Sequence, residues 1–125
     1  MATLTKSHSA IIDTNLYKIM IDVVLENQLP ANQEFIIKCD DILYDELNHD
    51  YQINKTSIKE LVFKYTSKHS QEILQLFYKE FFGVDNFEIA DNYDRFSEDG
   101  TTPTMQDVET LIINKIAHYI YDRLY

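Results

Sequence analysis

Two glycines and two prolines are all the backbone punctuation in this 125-residue chain, and that scarcity restricts the folds open to it. An all-β sandwich or barrel needs a turn about every 8–12 residues, and turns draw on glycine and proline. The same scarcity argues against glycine-cradled phosphate loops. Helices need neither residue in their interiors. The four present fall where helices would begin or end, at Pro30, Gly83, Gly100 and Pro103.

Hydrophobic spacing supports that reading. From Ser9 to Gln28, Ile12, Leu16, Ile19, Met20, Val23 and Val24 recur at three- and four-residue intervals, the mark of an amphipathic helix. From Gln33 to Asn48 two patterns compete. Phe35, Ile36 and Ile37 could start a short strand, but Ile36, Cys39, Leu43 and Leu47 keep a helical period, which favours helix. Ser57 and Glu60 have capping-box spacing ahead of Ile58, Leu61, Val62 and Tyr65. Ile73, Leu74, Phe77 and Phe81 follow Ser70, with Gly83 placed as a left-handed C-terminal residue. The last helix begins with Thr102 as cap and Pro103 in its first turn, and it carries Val108, Leu111, Ile112, Ile116, Tyr119, Ile120 and Leu124 on one side. The fold class expected is mainly α: one compact domain over residues 1–125, a bundle of about five helices with room for one short strand pair.

Charge is the second constraint. The formal net charge is −10, and it is unevenly spread. Residues 34–54 hold six carboxylates against one lysine, residues 83–110 hold eight against Arg95 alone, and residues 55–82 between them are mildly basic, with five lysines against three glutamates. Such a field repels nucleic acid and anionic membrane and attracts basic surfaces. The lysines of the middle block do not form one stripe, so direct nucleic-acid binding is not expected; they serve solubility and pair with the chain's own acidic blocks.

The densest acidic run is DNFEIADNYDRFSEDG, residues 85–100. Asp85 and Glu88 have cap spacing, and on a helical wheel Ile89, Tyr93 and Phe96 share one side while Glu88, Asp91, Asp94, Glu98 and Asp99 lie on the other. The expectation is a short helix with its carboxylates in water. Phe87 then falls on the acidic side as an exposed aromatic, unless the helix begins after it.

No motif supplies a reaction centre. The four histidines lack metal-ligand spacing. His118 and Asp122 stand one turn apart, which suits a local contact as well as an oriented imidazole. Asp91 to Gly100 fails the calcium-loop pattern, because Phe96 occupies the position where glycine must turn. No nucleophile elbow, Walker A or dinucleotide fingerprint occurs. The lone Cys39 excludes an internal disulfide and reads as a buried apolar side chain in a reducing compartment. With no signal peptide or membrane-length apolar run, a cytoplasmic location is expected. Fifteen Ile, nine Lys and eight Asn beside two Arg suggest an AT-rich coding sequence, as in low-GC bacteria and their phages.

These features point to an acidic protein–protein interaction module without enzymatic activity, metal or cofactor. Its partner would be a basic protein, a nucleic-acid-binding protein or nuclease, whose phosphate-binding surface it occupies. Five carboxylates from Asp85 to Glu98 on a helix would span about 20 Å at ~1.5 Å per residue, against one phosphate per ~3.4 Å of a DNA strand. The candidate contact residues are Asp85, Glu88, Asp91, Asp94, Glu98 and Asp99 in one block and Asp40, Asp41, Asp45 and Glu46 in the other. In kind, though in no motif, this matches the small acidic inhibitors that phages and mobile elements direct against nucleases and CRISPR effectors. The alternatives are an immunity or antitoxin protein, an acidic helical subunit of a larger assembly, and a small metal-dependent enzyme built on Asp40, Asp41 and Asp45 or on His118 and Asp122.

Overall fold

The computed structural model describes residues 9–12, 14–89 and 105–125, and in them the chain is a helical bundle with one pair of short strands. Strand β1 (Ser9–Ile12) leads into α1 (Thr14–Val23), which continues as a π-helical turn over Val24–Gln28. There follow α2 (Gln33–Asn54), α3 (Ile58–Lys68), α4 (Ser70–Phe82), strand β2 (Asn86–Ile89) and α5 (Met105–Leu124). No helix among the described residues is long and apolar enough to cross a membrane.

The ambiguous segment after Gln33 is helical. Asn32 caps it, its side-chain oxygen accepting from the Phe35 N–H at 3.0 Å, and Phe35, Ile36, Cys39, Leu43 and Leu47 are buried along one line. The helix ends at Lys55, a left-handed residue with φ 55°, whose N–H bonds the Tyr51 carbonyl. Helix α3 starts after Ser57 as its spacing predicts, but the Ser57 hydroxyl makes no capping bond. Helix α4 closes on Gly83 at φ 67°, a left-handed conformation that costs glycine little because it has no Cβ. The beginning predicted for the last helix, at Thr102 and Pro103, lies outside the described residues. Its body packs against α1, α2, α3 and α4 and buries Val108, Ile112, Ile113, Ile116, Ala117 and Ile120.

Two expectations are corrected. Residues 9–12, read as the start of the first helix, form a strand, and the helix buries Tyr17, Ile21, Val24 and Leu25 while Leu16, Ile19 and Val23 are 48%, 59% and 48% exposed. The burial line runs through Tyr17 because the core supplies a partner for its hydroxyl, so the aromatic body is buried at little polar cost. Residues 86–89, read as the first turn of an acidic helix, are strand β2. They pair in parallel with β1, Ser9 opposite Asn86 through Ile12 opposite Ile89. Phe87 is accordingly buried, with ring centroids 5.3 Å from Tyr17, 5.4 Å from Tyr78 and 5.3 Å from Phe82. Extended backbone turns alternate side chains to opposite faces, which lets Phe87 enter the core from a polar stretch. The remainder of the predicted acidic helix lies outside the described residues.

Candidate protein-binding surface

The acidic residues of α2 do not act as one block. Toward α3 the helix presents Glu46 and Asp50. Asp50 accepts hydrogen bonds from Asn54 at 2.5 Å, Tyr65 at 2.7 Å and Lys64 at 3.1 Å, and these hold its carboxyl down at about 2. Glu46 accepts from Lys68 and from His69, the latter at 2.5 Å, and these contacts likewise lower its pKa. The basic middle block is thus largely committed to the chain's own carboxylates, as its composition suggests. Lys59 and Lys64 also lie over the rings of Tyr121 and Tyr65.

On the side of α2 facing away from the core the picture differs. Asp41 and Asp45 are exposed, one helical turn apart, and Glu34 is exposed on the same line. Beside them runs a second line, Ile37, Tyr44 and Tyr51, at 43%, 48% and 38% exposure. Asp40 flanks that line on its other side. Its oxygen accepts from the Tyr125 hydroxyl at 2.7 Å, and burial raises its pKa while the hydrogen bond opposes the rise. Sequence reading missed Glu34, Ile37, Tyr44 and Tyr51; the signal was there in the seven-residue recurrence of large apolar side chains off the core line.

Of the other block, Asp85 forms a 3.6 Å ion pair with Lys79, and Glu88 sits in β2 opposite Ile11. Asp91, Asp94, Glu98 and Asp99 lie outside the described residues. The structure therefore brings Asp41 and Asp45 together on an open face, ties Glu46, Asp40 and Asp85 to internal partners, and leaves four candidates undescribed.

The remaining chemistry is local. His118 packs edge-on against Phe63 at 4.9 Å, and among the described residues no three His, Cys, Asp or Glu side chains converge as metal ligands. Cys39 is fully buried, and burial pushes its thiol up to about 12. A buried chain of hydroxyls escaped the sequence reading altogether. Tyr17 and Tyr78 share a hydrogen bond, and Tyr78 donates to Glu109 at 2.7 Å, so Tyr17 is the donor to Tyr78. Burial raises both phenol pKa values. Glu109 faces a cavity of about 570 Å³ lined also by Gln71, Gln75 and Asn86. No protein-family model, curated protein or solved structure matches the chain.

Proposed function

We propose that the chain is an acidic protein-binding module that sets the open face of α2 against a basic surface on a partner, of the sort with which a nucleic-acid-binding protein or nuclease holds phosphate. The observation that carries this reading is the division of carboxylates on α2. Those facing α3 are neutralised by its lysines, whereas Glu34, Asp41 and Asp45 are exposed on the far side. The helical rise separates the three along the axis by about 10 Å and about 6 Å, close to three and two steps of a strand with a phosphate every ~3.4 Å. Fixed on a folded helix, they compete for lysines and arginines without the ordering entropy of a flexible acidic tail. An immunity or antitoxin role is the same physical statement with a toxin as partner.

The test is capture of the partner from cells of the source organism, followed by competition. A basic nucleic-acid-binding protein should be retained, its association should slow as salt rises, and a short DNA duplex should displace it. The variant E34Q/D41N/D45N should bind it weakly while melting as the parent does. A partner that is not basic, or one bound equally in the presence of excess duplex, refutes the reading.

A further inference from the structure

We propose that the part of the partner seated on α2 is itself a basic amphipathic helix, lying along α2 for about three heptads. This rests on the reading above and adds the shape and pattern of the contact.

The spacing of the apolar line carries the inference. Ile37, Tyr44 and Tyr51 are exposed on a helix of 22 residues and stand seven residues apart. Seven residues advance a helix by ~10.5 Å and rotate it only ~20° out of register, so the three side chains keep to one line. A partner helix whose own apolar residues repeat at the same period meets each of them in step, as in a coiled coil. An extended strand does not, since its same-face side chains recur about every 6.8 Å.

The charges around the line choose the occupant. Asp40 lies along one flank and Glu34, Asp41 and Asp45 along the other, with Lys38 the basic residue beside them and Lys55 near the far end, 5.7 Å from the Tyr51 ring centroid. A second copy of the chain would bring carboxylates against carboxylates. Lysines and arginines bordering an apolar seam would complement both flanks, and the exposed Tyr44 ring is available to such cations.

The experiment titrates the full-length chain with two synthetic peptides of three heptads. One has leucines at coiled-coil spacing among alanine, lysine and arginine, and the other is its scrambled isomer. The patterned peptide should gain helicity on binding, perturb the amide resonances of α2, and bind at least about tenfold more tightly than the isomer, or about 1.4 kcal/mol. The variant I37S/Y44S/Y51S should lose that preference while keeping the parent's melting curve, and D41N/D45N should weaken both peptides alike. Equal affinity for the two peptides, with D41N/D45N still weakening both, overturns the helix and leaves the acidic-module reading standing. Binding of neither peptide overturns both. Preference retained by I37S/Y44S/Y51S moves the site off α2 and overturns the inference. So does self-association of the parent that this variant abolishes, which would make a second copy the occupant.

Discussion

Removing the hydroxyl of Tyr78 should cost more than removing that of Tyr17, and removing both should cost less than removing Tyr78's alone. Tyr78 stands in the middle of the chain, accepting from Tyr17 and donating to Glu109, and the two rings are 0% and 2% exposed at Tyr17 and Tyr78. In Tyr17→Phe the Tyr78 hydroxyl still donates to Glu109, so one neutral hydrogen bond is lost, about 1 kcal/mol. In Tyr78→Phe two bonds go and the Tyr17 hydroxyl is left buried without an acceptor; a stranded donor costs ~1–3 kcal/mol on its own, for a total of about 3 kcal/mol. The double variant strands no hydroxyl and leaves Glu109, which is partly exposed, to be solvated, so its cost falls to about 2 kcal/mol. Urea unfolding monitored by circular dichroism gives all four stabilities from midpoints at a common slope. Additive losses, or a Tyr78→Phe variant no weaker than Tyr17→Phe, would refute the relay as the way these phenols are satisfied.

Three further outcomes are expected. Phe87→Ala should destabilise by about 3–5 kcal/mol, as for a large buried side chain; a loss within about 0.5 kcal/mol would mean that the ring is exposed. Asp50 is held at about 2 in the folded chain against an ordinary 3.8, so its contribution is present above about pH 4 and fades as pH falls toward 2. Asp50→Asn should therefore lower stability at neutral pH and flatten acid unfolding in that window, and identical acid profiles would sink the assignment. Cys39, buried and with its thiol pushed up to about 12, should react with a thiol reagent only as fast as the domain opens, so its labelling should accelerate through the urea transition; rapid labelling of native protein would contradict its burial.

The helices were legible because their cores are built from side chains close in sequence. Ile36, Cys39, Leu43 and Leu47 define the buried line of α2, and Gly83 marks the end of α4. What escaped was set by partners far along the chain. Asn86–Ile89 has a polar, cap-like composition and becomes a strand because Ser9–Ile12 pairs with it, a fact no local window contains. The buried face of α1 was misread because aliphatic residues outnumber its tyrosine, yet only Tyr17 reaches Tyr78. Among the candidate site residues, the difference between Glu46 and its neighbour Asp45 is a matter of which way α3 lies. One meets Lys68 and His69, the other solvent.

The pairing of β1 with β2 also sets an order of assembly. Neighbouring elements such as α2 and α3 meet across short connections, whereas the strand pair closes a loop containing everything from residue 13 to residue 85. Closing a loop of that length costs on the order of 4 kcal/mol in chain entropy, an amount that a four-residue ladder offsets only about evenly at ~1 kcal/mol net per hydrogen bond. The strand pairing is therefore expected to follow the gathering of the helices, which bring Phe87 to the core. Release of β1 would be the first step of unfolding as well, a sub-global opening that frees the amino-terminal strand while the bundle keeps its hydrogen-exchange protection.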